Sequence, residues 1–309
     1  MSAPTAELVV IGDDASIAPK SSTAQPAQDR TPIRRVGARK VLVAVLCAVV
    51  VLVVLAPIIW AILTSVKNEV QAVTYPPVFW PDPFSVSAFK RVLTGQNFLV
   101  ELFNSVLYSF SSVAVALLVG APAGYAAARL SFKGKDAIML VILATSMIPT
   151  VALLVPIYGL LDRFALVNSA IALITIEAAR IAPQTVWFIQ AFVKTVPSEI
   201  DRAAEIDGAS RLRIFVSVVL PLIKPGLAAV FILGLITVWN DYLTVAVFAP
   251  DATRRTLQVA IVNQVLDSNG ISWSYMMAFV LVASAPVVLM FLATQRWFVS
   301  GLLAGGVKG

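Results

Sequence analysis

The chain has 309 residues, 59% of them hydrophobic, and its mean hydropathy of +0.88 is too high for a soluble domain, whose polar surface must cover its core. The net charge of +6 would suit nucleic acid in a soluble protein, but here the basic residues lie beside long apolar runs, where they set membrane topology. One cysteine, Cys47, and no histidine exclude a disulfide within the chain, Cys/His zinc sites and histidine-dependent catalysis. These properties predict an integral membrane protein that contacts lipid, binds no nucleic acid, uses no cofactor and is not an enzyme.

The N-terminal residues lack hydrophobic periodicity. Residues 1–35 are polar and rich in Ala, Ser, Thr and Pro, which predicts a disordered cytoplasmic tail. A basic cluster between Arg30 and Lys40 leads directly into the apolar run 41–65. That run is too long for the apolar part of a signal peptide and lacks a small-residue cleavage site, so we expect an uncleaved first membrane span.

The rest of the chain, 36–309, is predicted to be one transmembrane domain. A helix needs roughly 20 apolar residues to cross a bilayer core of about 30 Å. Prolines inside several apolar stretches do not argue against spans, because neighbouring membrane helices satisfy the freed carbonyls. We therefore predict an all-α polytopic membrane protein with six transmembrane helices. The predicted spans are about 41–65, 104–130, 137–160, 167–193, 226–247 and 275–297.

Two opposite charges lie inside the fourth predicted span. Glu177 and Arg180 are three residues apart, so they share a helix face and can pair. A charged side chain at a helix centre costs about 2.5–3.5 kcal/mol on insertion scales, so such residues need a partner or a role. We interpret them as a pair that stabilises the helix bundle, with a role in substrate binding as the alternative.

A polar segment, 196–226, separates the fourth and fifth spans and predicts two short helices. Ser198 is placed to cap the first with Asp201 three residues on, and Gly208 ends it where a left-handed residue is needed. Ser210 is placed to cap the second. The apolar residues of the second helix recur at helical spacing and predict a face that packs against the membrane helices: Leu212, Phe215, Val216 and Val219.

The first of these two helices has unlike faces. Ile200, Ala203 and Ala204 form a narrow stripe of small and apolar side chains, which permits close approach to a groove on a partner. Charged residues lie on another face: Glu199, Arg202 and Glu205. We therefore expect the second helix to be anchored and the first to be presented to a partner.

The fifth predicted span contains the densest polar cluster within a span, Trp239, Asn240, Asp241 and Tyr242. Aromatic faces stack on the apolar faces of sugar rings, and Asn and Asp side chains match hydroxyls. The same residues are equally suited to bonding neighbouring helices. The cluster is thus a candidate substrate path, with contact between helices as the alternative.

The distribution of Lys and Arg predicts the orientation. With the N-terminus inside, fifteen Lys and Arg residues fall on the cytoplasmic side and six on the outer side. This bias predicts that both termini and the 196–226 segment are cytoplasmic.

The 196–226 segment resembles the cytoplasmic "EAA" loop of permease subunits of ABC importers, and it is most similar to the carbohydrate importers of the maltose-permease type. Arg202 stands where that family usually has the first Glu. The matching residues are Ala203, Ala204, Asp207, Gly208, Ala209, Leu220, Pro221 and Pro225. The resemblance covers about 58–309 through further segments in the expected order: NSVLYS from Asn104, AGYAAARLSFKGK from Ala123, MIPTVALLVPIYGLL from Met147, WNDYL from Trp239 and QRWFVSGLLAGGVKG from Gln295.

This resemblance implies the ABC importer permease fold and a place in a prokaryotic plasma membrane. It implies as partners a second, homologous permease, two cytoplasmic ABC ATPase subunits and an extracytoplasmic sugar-binding protein. It also implies a lever that couples ATP binding to the spans. The residues assigned to ATPase coupling are Glu199, Arg202, Ala203, Ala204, Glu205, Asp207 and Gly208.

The chain has no GxxxxGK[ST] sequence, so a partner must hydrolyse any ATP that drives transport. A secondary transporter of a small polar solute is the alternative, but such a protein usually has an internal repeat of helices, and none is convincing here. A membrane enzyme is disfavoured by the absence of His and of clustered carboxylates in the spans. A scaffold would leave the two-helix loop without a purpose.

Overall fold

A computed structural model describes the backbone of residues 38–266 and 272–306, and the side chains of residues 40–265 and 272–295. Every regular element in these ranges is a helix, as the composition predicts. The tail predicted to be disordered, 1–35, lies outside the described residues. The helices are α1 Ala38–Ser65, α2 Glu69–Val73, α3 Ser87–Leu93, α4 Phe98–Arg129, α5 Lys135–Thr145, α6 Thr150–Arg163, α7 Ala170–Thr195, α8 Ser198–Ile206, α9 Arg211–Ile214, α10 Leu220–Leu222, α11 Lys224–Trp239, α12 Leu243–Phe248, α13 Leu257–Leu266 and α14 Trp273–Gly306.

Helix α1 is apolar on all sides. Its side chains are exposed from Lys40 to Trp60, and its 28 residues include only one proline, Pro57. At about 1.5 Å per residue the helix is roughly 42 Å long, more than the bilayer core requires. By length and composition α1 is a candidate for the predicted first span.

Helices α4 and α7 pack closely along much of their length and form the centre of the helix bundle. Small residues on α4 permit the close approach. A Cβ added to Gly120 would lie 2.6 Å from Cγ2 of Thr185, and one added to Gly124 would lie 2.8 Å from Cβ of Ile189. Larger residues at these two glycines would therefore force the helices apart.

The third predicted span, 137–160, is divided into two helices in the structure. Helices α5 and α6 are separated by residues 146–149 and bent by 89°. Pro149 directly precedes α6, and a proline disfavours helical conformation in the residue before it. Ser146 donates its hydroxyl to the carbonyl of Leu143, which satisfies one of the carbonyls freed at the end of α5.

The fifth predicted span, 226–247, is also interrupted. Helix α11 ends at Trp239, and α12 begins at Leu243 after a short break. Asp241 lies in the break and accepts a hydrogen bond from the backbone N–H of Thr244 at 2.8 Å, so it caps α12. The sixth predicted span is a continuous helix, α14, and extends beyond the predicted ends.

Three described helices are long and apolar enough to cross a membrane alone, α1, α4 and α14, and up to five spans result if each of two bent pairs is one span. The bent pairs are α5 with α6, and the segment from Arg211 to Leu222 with α11 at 78°. With 26 residues, helix α7 is long enough for a span. It carries Glu177 and Arg180, however, and is not among these helices. The count of six spans stays a prediction.

Candidate functional site

The two predicted loop helices are present between α7 and α11. Gly208 follows α8 with a φ of +81°, the left-handed conformation that the sequence predicts for the end of this helix. The predicted cap of α8 is wrong, because Ser198 is already the first helical residue and no side chain caps the N-terminus. Ser210 does cap α9, since its hydroxyl accepts from the backbone N–H of Arg213 at 3.4 Å.

The second loop helix is anchored, but its buried face differs from the predicted one. Phe215 and Val219 are buried as expected, whereas Leu212 is 72% exposed and Val216 is 50% exposed. A π-helical turn over Phe215–Val219 forms the second half of this helix. Ile214, which lies outside the predicted stripe, is buried instead.

This anchored helix packs against the C-terminal ends of α4 and α7. The ring of Phe215 lies 5.0 Å from the ring of Tyr125 on α4. Ile189 and Val193 of α7 belong to the same buried cluster. The loop is therefore attached to the helix pair at the centre of the bundle.

A buried ion pair joins α8 to the end of α4. Arg129 Nε lies 2.8 Å from Oδ2 of Asp201, and these side chains are only 14% and 12% exposed. Arg129 also donates from Nη2 to the carbonyl of Val196 at 2.7 Å. The sequence does not predict this pair, because it indicates Arg129 only as a charge that sets topology and Asp201 only as part of a helix cap.

The other side of α8 is exposed. Of the residues assigned to coupling, Ala204 is half-buried against the loop core, and the rest are exposed: Glu199, Arg202, Ala203, Glu205, Asp207 and Gly208. The predicted apolar stripe is thus divided, with Ala204 turned inward. Ile206 is 87% exposed and adds an apolar side chain that the sequence reasoning did not select.

A second charged cluster lies among the membrane helices. Arg180 donates from Nε and Nη2 to Oε2 of Glu177, at 3.1 and 2.5 Å, which confirms the predicted pair on α7. Nη2 of Arg180 also lies 3.1 Å from Oδ2 of Asp241 in the α11–α12 break. Glu177 is completely buried. The cluster therefore links α7 to the break between α11 and α12. Asp241 is far from the other two members in the sequence, so spacing along the chain could not identify it.

The predicted substrate path residues do not share one surface. Trp239 is buried beside the N-terminal ends of α4 and α14, and Tyr242 packs against the core around α6 and α12. Asn240 is exposed, donates to the carbonyl of Ile236 at 2.8 Å and accepts from Gln258 at 3.3 Å. These contacts, like those of Asp241, are to protein groups. Their role toward a substrate stays a prediction.

A cavity of about 410 Å³ lies close to this break, between α5, α6, α7, α11 and α12. Its polar wall is formed largely by residues that the sequence reasoning did not select. The sequence gives little indication that these residues line a cavity, because single Thr and Gln residues within apolar helices are common. The polar residues that line it include Arg180, Gln184, Thr145, Thr150, Thr237 and Thr244.

Comparisons with known proteins agree with this architecture. Residues 116–303, more than half of the chain, match the family described as binding-protein-dependent transport system inner membrane component. The chain is 32% identical over 264 residues to the inner membrane ABC transporter permease protein YcjP of Escherichia coli, covering 85% of this chain and 94% of that protein. It is 29% identical to the trehalose/maltose transport system permease protein MalG of Thermococcus litoralis, covering 87% of this chain and 94% of that protein.

The fold also resembles a solved structure. A chain of a bacterial ABC transporter involved in the import of the acidic polysaccharide alginate superposes with a TM-score of 0.73 at 22% identity, covering 84% of this chain and 95% of that chain. This similarity concerns the fold and not the substrate. The family match shows that the chain belongs to the binding-protein-dependent transport system inner membrane components. Together with its apolar helices and its fold, this makes it a membrane permease with the ABC importer fold.

Proposed function

We propose that this chain is the permease subunit of an ATP-driven importer that carries a carbohydrate across a prokaryotic plasma membrane. The observation that carries the proposal is α8, which is held to α4 by a buried ion pair while its coupling residues face outward. The family membership and the name of the trehalose/maltose relative support it. The same membership favours an importer over the secondary transporter that the sequence left as the alternative.

The coupling residues fit a docking role. Small and apolar side chains of α8, Ala203 and Ile206, lie among the exposed charges Glu199, Arg202 and Glu205. Such a helix fits into a groove of a cytoplasmic ATPase subunit, with apolar contacts at the centre and charges at the rim. Closure of the ATPases on ATP would move α8, and the pair of Arg129 with Asp201 would pass the motion to α4.

The proposed assembly has this chain beside a second, homologous permease, with two ATPases below and a sugar-binding protein outside. Isolation of the tagged full chain from its native membrane in mild detergent tests this composition by mass spectrometry of the co-purifying chains. We expect a second permease and an ABC ATPase in stable proportion. An unrelated membrane protein with the same tag serves as the control. Isolation of the folded chain without an ATPase would contradict the proposal.

The proposed orientation has both termini and α8 in the cytoplasm. Cys47 is the only cysteine, so single-cysteine variants can be made in a Cys47→Ser background. Gln96, between α3 and α4, and Ser210, before α9, are both exposed. An impermeant maleimide added to intact cells should label Gln96→Cys and leave Ser210→Cys unlabelled until the cells are opened. The reverse pattern would contradict both the orientation and the coupling role of α8.

A further inference from the structure

The 410 Å³ cavity is bordered by two interrupted helices. On one side is the 89° bend between α5 and α6, and on the other is the break between α11 and α12. Helix α7 forms the wall between them. Helix breaks at membrane depth occur where the backbone is covered by protein or lines a water-filled cavity. The volume falls within the range of roughly 300–1,000 Å³ typical of small-molecule sites.

The α7 wall offers hydrogen-bonding groups one helical turn apart. Gln184 is exposed to the cavity, and its amide can donate and accept. The Arg180 side chain is 24% exposed, and its recorded contacts use only Nε and Nη2. Among the side chains that the structure describes, none accepts a hydrogen bond from Nη1. Thr237 on α11 adds an exposed hydroxyl from the opposite wall.

The remaining wall is largely apolar. Leu154 and Ile157 of α6 and Phe248 of α12 line it. A sugar ring presents apolar faces and a rim of hydroxyls, so a site with convergent polar groups on one side and apolar side chains on another matches it. The groups of this cavity have that arrangement.

The charge of the site favours a neutral ligand. Of the described residues that line the cavity, Arg180 alone is charged, and it is already paired with the carboxylates of Glu177 and Asp241. Because these two carboxylates already contact the guanidinium, a ligand carboxylate would meet no free positive charge at the cavity. An acidic saccharide is therefore disfavoured, whereas uncharged hydroxyls can accept from Arg180 and bond to Gln184.

An adjacent cavity of about 500 Å³, between α4, α5 and α7, gives a contrast. Its lining is largely Val, Ile and Ala, including Ala182, although Thr145, Thr175 and Pro183 line both cavities. Ala182 and Gln184 are two residues apart on the same helix, so they lie at nearly the same depth but face different cavities.

We infer that the 410 Å³ cavity is a subsite for a neutral saccharide that this subunit itself contributes to the translocation path. Arg180, Gln184 and Thr237 bind the hydroxyls, and the apolar side chains of α6 and α12 cover a ring face. This inference rests on the proposed function and adds the class of sugar and the residues that contact it.

Cysteine labelling of the complete importer complex in proteoliposomes tests the inference. Gln184→Cys and Thr237→Cys report on the cavity, Ala182→Cys is the matched control on α7, and all carry Cys47→Ser. The probe is 2-(trimethylammonium)ethyl methanethiosulfonate, whose fixed charge keeps it in water. We expect both cavity cysteines to react at least about tenfold faster than the control, because a charged group enters an apolar membrane region at a high free-energy cost.

The saccharide is then identified as the one that stimulates ATP hydrolysis by the wild-type complex, from a panel of maltose, trehalose, raffinose and their uronic acid counterparts. Addition of that saccharide should slow labelling of Gln184→Cys and Thr237→Cys and leave Ala182→Cys unchanged. Labelling no faster than the control, or stimulation without protection, would overturn the inference alone. Protection by an acidic saccharide only would overturn the neutral specificity. Failure of every saccharide in the panel to stimulate, together with isolation of the folded chain without an ABC ATPase, would instead contradict the proposed function.

Discussion

Two buried ion clusters join distant parts of this chain, and they differ in charge balance. At the C-terminal end of α4, Arg129 pairs with one carboxylate, Asp201. Among the membrane helices, Arg180 pairs with two, Glu177 and Asp241. The first cluster fixes the coupling helix, and the second fixes the break between α11 and α12.

The difference shows how charge balance determines sensitivity to mutation. In the balanced pair, loss of either partner leaves one buried charge uncompensated. In the unbalanced cluster, loss of Arg180 leaves two carboxylates facing each other, whereas loss of the Asp241 charge leaves a neutral pair. Within the second cluster, substitutions of different members should therefore change stability by very different amounts. Within the first, substitution of either member should have a similar effect.

The largest expected effect is that of Arg180→Gln. Removal of this guanidinium leaves Glu177 and Asp241 without a counter-ion, and breaking a buried pair typically costs about 3–5 kcal/mol. We expect a strongly reduced yield of assembled complex and a lower thermal unfolding temperature in detergent. Arg180→Lys is the control, because it keeps the charge but loses the planar two-pronged contact, and it should fall between the variant and wild type. A wild-type yield for Arg180→Gln would show that the cluster does not stabilise the bundle.

The next effect is expected at the coupling helix. Arg129→Ala and Asp201→Ala should each destabilise the protein by about 1–3 kcal/mol, because each leaves its former partner partly buried without a counter-charge. The two single variants should have similar costs, and both should lose the stimulation of ATP hydrolysis by the binding protein. A double-mutant cycle on thermal unfolding measures the coupling energy between the side chains. Additive effects would mean that the two residues do not act as a pair.

Two substitutions of Gly208 distinguish the effect of backbone strain from the effect of blocked docking. Nothing lies within 4 Å of a Cβ added there, and its φ is +81°, so Gly208→Ala should cost only the left-handed strain of roughly 1–2 kcal/mol. Gly208→Trp has the same strain but adds a bulky side chain beside the exposed face of α8. We expect both variants to fold, and we expect only the Trp variant to lose uptake and disturb ATP hydrolysis. Normal uptake by Gly208→Trp would contradict docking through this face.

The smallest expected effect is that of Asp241→Asn. Asn is also a good N-cap residue, and Arg180 keeps Glu177, so the change in stability should be within about 1 kcal/mol. Asp241→Ala, which also removes the cap of α12, should destabilise the protein more. Uptake of sugars that differ by one hydroxyl separates the roles of Asp241. An equal, slight loss fits contact between helices, whereas a loss that differs between the sugars would support the direct contact that the sequence predicts.

The sequence by itself determined the features that depend on composition or on neighbours within one helical turn. Its hydropathy predicted a helical membrane protein, and the three-residue spacing of Glu177 and Arg180 predicted their ion pair. Gly208 and Ser210 were predictable for the same reason, because a left-handed end and an N-cap involve only adjacent backbone. The EAA-type loop was recognisable because its motif is contiguous.

Only the tertiary structure decided what depends on contacts between distant segments. The pairing of Arg129 with Asp201 and of Arg180 with Asp241 joins residues on different helices, and no periodicity encodes such distances. The exact positions of the breaks in the third and fifth spans depend on such contacts as well. Hydropathy is averaged along the chain, whereas a break is stable only if other groups satisfy its freed backbone, as the ends of α5 and α12 show. The buried face of the loop helix also depends on tertiary contacts, because packing against α4 and α7 buries Ile214, Phe215 and Val219.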